Sequence, residues 1–182
     1  MKTFALPQQG ETLIFPDTPT PADQTLHVGV ILAPGADGPP PHIHTRQDEW
    51  FEVESGRMVI KINGKKHVLE AGEKICVKAG ETHTFKNGLS DQPLKVNARF
   101  EPAGHIEWML TELAQSAIRN GGSWKSLPIL EAGYCMYELR TEYRLGGIPF
   151  WFQDAILGTF HFLAKITGAS KNISPSPITT KG

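Results

Sequence analysis

Cysteine is nearly absent, with Cys76 and Cys135 the whole complement. Two residues make no legible disulfide framework, and reduced thiols in the cytoplasm are the simplest expectation. Net charge is equally scarce: 18 lysines and arginines stand against 19 aspartates and glutamates, a formal net charge of −1. A protein that grips nucleic acid by broad phosphate neutralisation needs a basic excess, so nucleic acid is not an expected partner. Uninterrupted apolar runs of membrane-spanning length are missing too. The nearest approach, 148–167, carries Asp154, His161 and Lys165, and a charge near a helix centre costs roughly 2.5–3.5 kcal/mol in a bilayer. That segment is therefore read as a helix covering the chain's own sheet or a twofold mate, with a membrane disfavoured. Residues 1–7 hold one charge and too short an apolar run for a signal-peptide core. Glycine-rich phosphate loops, a nucleophile-elbow serine and zinc-finger cysteine pairs are also lacking, which argues against nucleotide-driven and serine-hydrolase chemistry.

Turn formers, by contrast, are plentiful, with 18 glycines and 14 prolines. They punctuate short apolar runs, the pattern of many short strands. Strands are expected at 26–33, 49–53, 57–62, 67–69, 75–77, 83–86 and 94–100. Asn63-Gly64 is a two-residue hairpin signal, because both positions tolerate positive φ. Strands at this spacing indicate an antiparallel sandwich or barrel, an all-β class. After Gly104 the period lengthens. Ile106, Met109, Leu110, Leu113 and Ala117 recur at helical spacing, and Asn120-Gly121-Gly122 ends the run. Pro128 and Pro149 each suit the first turn of a further helix, over 129–145 and 148–167. The chain is thus divided into a β domain at 1–104, a helical extension at 105–171 and a disordered tail at 172–182. A hydrophobic fraction of 40% suffices for a sizeable core in the first two.

The chemistry concentrates in the histidines. His42-Ile43-His44 places two imidazoles on one face of an extended chain, where they can share a metal ion. Pro39-Pro40-Pro41 stiffens the approach to them. Glu49 follows His44 by five residues, which on an unbroken strand would point it to the other face. Residues 45–48 must therefore bend, after which Glu49, Phe51 and Val53 face inward while Trp50, Glu52 and Glu54 face out. A carboxylate aimed into an apolar interior is costly unless it is paired or coordinating. His83 adds a third imidazole from a later strand, on the same face as Phe85. Three imidazoles and one carboxylate suit a divalent transition metal with open positions, Fe(II) or Mn(II) first and Ni or Zn next.

These residues resemble the cupin superfamily. His42-x-His44-x4-Glu49-x6-Gly56 matches its first motif, and Gly72-x5-Lys78-x-Gly80-x2-His83-x3-Asn87 its second. The resemblance covers about 26–104 and is of the small single-domain (monocupin) type. It implies an antiparallel jelly-roll β-barrel with a helical C-terminal extension, His42, His44, Glu49 and His83 as metal ligands, and glycines 56, 72 and 80 as turn positions. It also implies a homodimer. Ala36 and Lys78 stand where the family usually has glycine and proline, both in loop-forming stretches.

Candidate substrate contacts are Arg46, Phe51, Met58, Ile60 and Phe85. Arg46 sits in the bend and offers a two-pronged contact to a carboxylate, against the plainer reading of a solvated loop arginine. Met58 and Ile60 would form an apolar wall or simply pack the core. The remaining histidines, His27, His67, His105 and His161, have no partner spacing and are expected at surfaces or edges. No catalytic acid or base can be named. The expected function is a divalent-metal cupin of dioxygenase type working on a small molecule. A non-catalytic small-molecule or metal-binding sensor barrel and a cupin isomerase are its rivals, since one fold and ligand set host many reactions.

Overall fold

The alternation that starts at residue 26 becomes two facing antiparallel sheets in a computed structural model, which describes residues 1–178. Eleven strands are formed among these residues: β1 (Lys2–Leu6), β2 (Glu11–Phe15), β3 (Leu26–Leu32), β4 (His42–His44), β5 (Asp48–Ser55), β6 (Arg57–Ile62), β7 (Lys65–Glu70), β8 (Lys74–Val77), β9 (His83–Asn87), β10 (Leu94–Glu101) and β11 (Tyr143–Leu145). One sheet runs β1-β2-β3-β10-β5-β8 and the other β11-β4-β9-β6-β7. The central strands obey the period of two. Leu26, Val28, Val30 and Leu32 of β3 and Leu94, Val96, Ala98 and Phe100 of β10 are buried, and they meet Met58, Ile60, Ile62 and Phe85 of the opposite sheet in one core. Each of the larger of these side chains contributes roughly 1.5–3 kcal/mol through its burial. The β6–β7 hairpin turns at Asn63-Gly64 with φ of 49° and 80°, as the left-handed two-residue turn requires. Glycines 56, 72 and 80 likewise have positive φ.

Besides β4, the extended His42–His44 segment, three strands lie outside the expected set. β1 and β2 form an antiparallel pair that extends the first sheet past β3. The third is β11. The helix expected over 129–145 stops early, as α2 (Ile129–Glu138), and the chain then turns and adds β11 to the edge of β4. Three residues cannot declare a strand by their own period. The partner decides it, through the pairs Tyr143 with His44 and Leu145 with His42. The extension after Gly104 is therefore part of the second sheet as well as a helical cover.

The other helices are α1 (Ile106–Arg119) and α3 (Phe150–Thr167). α1 turns Ile106, Met109, Leu113 and Ala114 into the core. α3 packs on α2 through Phe160 against Gly133, Gly158 against Tyr137 and His161 against Tyr134 and Glu138, and leaves Trp151 73% and Phe162 62% exposed. Of the chain's own sheets it meets the β11 edge, where Gln153 bonds the Leu145 backbone N–H and carbonyl and Asp154 accepts from Arg144. Among the described residues no helix is long and apolar enough to cross a membrane. The segment expected to be disordered from 172 begins in packed form. Ile173 is buried, and Glu131 accepts hydrogen bonds from Asn172 (2.7 Å), Arg119 (3.4 Å) and Ser116 (2.5 Å), tying α1, α2 and the segment together. Residues 179–182 lie outside the described residues.

Candidate metal centre

His42 and His44 come from β4, Glu49 from β5 and His83 from β9, so the four residues span both sheets. The bend expected at 45–48 is what carries the chain from one sheet to the other. His42 and His83 are register partners across β4 and β9. All four side chains are buried, and each offers a donor atom within 4.8 Å of the others. The inward phase of Glu49, Phe51 and Val53 is as read from the sequence.

The second contacts of the imidazoles fix their roles. His42 Nδ1 donates to the Pro40 carbonyl at 2.9 Å and His83 Nδ1 to the Glu81 carbonyl at 3.3 Å. A carbonyl can only accept, so both rings carry a proton on Nδ1 and turn Nε2 to the interior, where that of His83 meets the Glu49 carboxylate. That is the arrangement of metal-binding histidines, whose outer nitrogen is held by a carbonyl or carboxylate. The Glu49 carboxylate lies 2.6 Å from His83 Nε2 and 3.4 Å from His44 Nε2. His44 Nδ1 is buried with no partner among the described residues. Burial opposes the charge on Glu49, but His83 and the hydrogen bonds from His44 and His83 outweigh it and hold the carboxyl well below its usual range. Burial, with His83 and His44 alongside, pushes His42 well below the ordinary imidazole value and keeps it neutral. For His83 burial works downward too, yet the Glu49 carboxylate prevails and raises it. Three imidazoles and a carboxylate converging in an apolar setting fit a divalent transition metal. The residues present fit the ion that the sequence reading called for.

The bend between the ligands is clamped from the extension. Gln47 is buried, and its Nε2 donates to Glu142 Oε2 at 2.8 Å. The same carboxylate accepts from the His105 backbone N–H at 2.8 Å and from His105 Nδ1 at 2.6 Å. Thr45 donates its backbone N–H to the Glu142 carbonyl at 2.9 Å and its hydroxyl to the Thr141 carbonyl at 2.6 Å. Gly104 lies against this clamp so closely that a Cβ there would meet Gln47 Nε2 and Glu142 Oε2 at 2.2 Å each. β11 follows at once and brings Tyr143 over the site. Its ring stacks on His42 with centroids 5.3 Å apart and planes at 24°, and meets His44 edge-on at 5.6 Å. Burial raises the phenol's pKa, with the Glu49 charge adding to it.

His42, His44 and Glu49 open on a cavity of about 230 Å³, with His83 packed behind them. Phe51 and Phe85, with ring centroids 5.1 Å apart, line it. Met58 and Ile60 do not: both are fully buried on β6, two strands from β4, and serve as core. Arg46 does not either. It is exposed, because the clamp turns its neighbour Gln47 inward and so turns Arg46 out. The walls gain Met109, Leu113, Leu127 and Met136 from the extension, together with Glu11, Trp124 and Tyr143. None of these was legible as a site residue, since each reaches the cavity through packing between segments far apart in sequence. Of the other histidines, His27 and His67 are exposed, whereas His105 pairs with Glu142 and His161 with Glu138 at 2.7 Å.

Residues 29–98 match the family model described as "Cupin domain". This segment is a cupin domain. It holds all four ligand candidates, both motif glycines nearest them, Gly56 and Gly80, and Asn87. Among curated proteins, the chain is 48% identical over 50 residues to "Epoxidase atD" of Aspergillus terreus, 27% of this chain and 16% of that one. It is 44% identical over 59 residues to "Probable oxidoreductase virH" of Hypocrea virens, 32% of this chain and 27% of that one. The matches thus span less than a third of these relatives' length. Among solved structures, the cupin domain of Cnp3 from Schizosaccharomyces pombe overlays 56% of this chain and 69% of its own, at 14% identity and a TM-score of 0.46.

Proposed function

We propose that the chain is a divalent-metal-dependent oxidoreductase that oxidises a small, largely apolar, oxygen-bearing molecule in a dioxygenase-type reaction. The observation that carries the reading is the convergence of His42, His44, Glu49 and His83, three of which border a cavity whose other walls are mostly apolar. The epoxidase and oxidoreductase names of the partial relatives support it. Bound by these four residues, Fe(II) or Mn(II) supplies Lewis-acid polarisation of a substrate oxygen and one-electron chemistry with dioxygen.

The chain's own groups do the rest. The Pro40 and Glu81 carbonyls hold two imidazoles in the ligating tautomer. Glu49 offsets part of the ion's charge. Phe51, Phe85, Phe100 and Met109 exclude water and fit a hydrocarbon body. Tyr143, kept protonated by burial, is placed over His42 to donate a hydrogen bond to a substrate oxygen. Jelly-roll closure of the two sheets, a cytoplasmic setting and a homodimer belong to the same proposal, and sedimentation at working concentration tests the last of these.

Oxygen consumption by the metal-loaded protein, screened against flavonols, catechols and β-diketones, tests the reaction class. Uptake with at least one of them, lost in His83→Ala, is the expected result. A silent screen over all three classes would overturn the oxidase reading in favour of a binding barrel or an isomerase.

A further inference from the structure

The cavity has a second polar end, and the metal-site residues do not explain it. Glu11 is only 5% exposed, yet it borders the cavity at the start of β2. Trp124 Nε1 donates to its Oε2 at 2.5 Å, while its Oε1 makes no hydrogen bond among the described residues. Burial raises its pKa against the pull of that one bond. Other buried carboxylates are treated differently. Glu131 and Glu142 each accept three hydrogen bonds, from Ser116, Arg119 and Asn172 in one case and from Gln47 and His105 in the other. Glu107 and Glu112 accept one each, from the backbone N–H groups of Thr20 and Ser174, but neither borders the cavity. Glu11 alone among these glutamates couples burial and an unused oxygen to an open space. A buried carboxyl left this way is costly unless something else completes it.

The sheet sets the separation of the two ends. Glu11 lies on β2 and Glu49 on β5, with β3 and β10 between them. Three interstrand steps amount to roughly 14 Å of sheet, and the register adds roughly 20 Å along the strands, since Glu11 is level with Leu32 and Leu94 whereas Glu49 is level with Phe100. Between the two ends the walls are Leu13, Val28, Val30, Ala98, Phe100 and Leu113, with no polar side chain among them. A compact polar molecule would leave this middle stretch unfilled. A molecule with one polar end would leave Glu11 unmet.

We propose that Glu11 is the second anchor of a ligand subsite, and that the cavity takes an elongated, mostly apolar molecule with an oxygen at the metal end and a hydroxyl at the Glu11 end. A hydroxyl suits Glu11 in either protonation state, because it both donates and accepts. Trp124 holds the carboxyl in place and leaves Oε1 for the ligand. This rests on the reading of the cavity as the ligand site of a metal centre, and it names the class of molecule that centre meets.

The test compares a series of α,ω-alkanediols with the matching 1-alkanols, titrated into the metal-loaded protein and followed by calorimetry. At the best-fitting chain length the diol should bind about fivefold more tightly than the alkanol, the worth of one net hydrogen bond. In Glu11→Leu that ratio should fall to near unity. Glu11→Gln, whose amide oxygen still meets Trp124 and whose amide still pairs with a hydroxyl, should keep most of it. Equal binding of diol and alkanol by the wild-type protein at every chain length would overturn the inference, whether or not the leucine variant folds. So would a diol preference that survives Glu11→Leu. Metal content measured on the same samples separates the two claims: a wild-type protein that takes up no metal defeats the metal centre, whereas an undiminished metal content with no diol preference defeats only the Glu11 anchor.

Discussion

Glu142 touches no candidate ligand, yet its removal should loosen the metal centre. The variant is Glu142→Ala. It deletes the acceptor of the Gln47 amide and of both His105 donors. Gln47 is buried, and its Oε1 already has no partner among the described residues. The alanine variant would leave its Nε2 orphaned as well. An unsatisfied buried donor costs about 1–3 kcal/mol, and lost hydrogen bonds to a charged acceptor about 1.5–3 kcal/mol each. Non-additivity and solvent access to the half-buried His105 reduce the sum, so a stability loss of about 3–4 kcal/mol is expected. The clamp also fixes the bend between His44 and Glu49, and outer partners of metal ligands are worth about 10–100-fold in affinity. Cobalt(II) binding measured by chelator competition should weaken by that factor in both Glu142→Ala and Gln47→Ala, alongside a lowered thermal midpoint. Wild-type cobalt affinity in both variants would refute the clamp.

Asn87 Nδ2 donates to the carbonyls of Leu32, Ala33 and Gln92, and its Oδ1 accepts from the Leu89 N–H. Asn87→Ala should therefore cost about 2–4 kcal/mol in a urea melt, and an unchanged midpoint would contradict the role given to this side chain. Glu131 has a folded pKa below the ordinary 4.5, because its hydrogen-bond partners and Arg119 outweigh burial. Folded Glu131 therefore binds its proton less readily than the unfolded chain does. Its contribution is fully present above the unfolded value and is lost as pH falls through the folded one. Glu131→Gln should flatten the fall in stability on acidification below about pH 4.5 relative to wild type, and parallel acid limbs would count against it.

The parts legible in the sequence are those whose signal is local. The period-two alternation of β5, β6 and β10 arises from one strand with a wet face and a dry face. His42-x-His44 needs only an extended chain to put both rings together, and the odd step to Glu49 announces the bend by itself. The parts that were not legible depend on partners far along the chain. β11 is a strand because β4 offers it an edge. Glu11 is inward because Trp124, 113 residues away, supplies a donor. Arg46 and Gln47 have equal claims on the site until Glu142 captures the glutamine. Met58 and Ile60 share the inward phase of Phe85, but only the strand order tells which of them stand near the ligands.

The central claim is that His42, His44, Glu49 and His83 hold a metal ion. Elemental analysis of protein purified without added metal, compared with His42→Ala and His83→Ala, tests it most directly. The account predicts about one transition-metal ion per wild-type chain and almost none in either folded variant. Full metal content retained by both variants, or its absence from wild type even after reconstitution with Fe(II) or Mn(II), would contradict it.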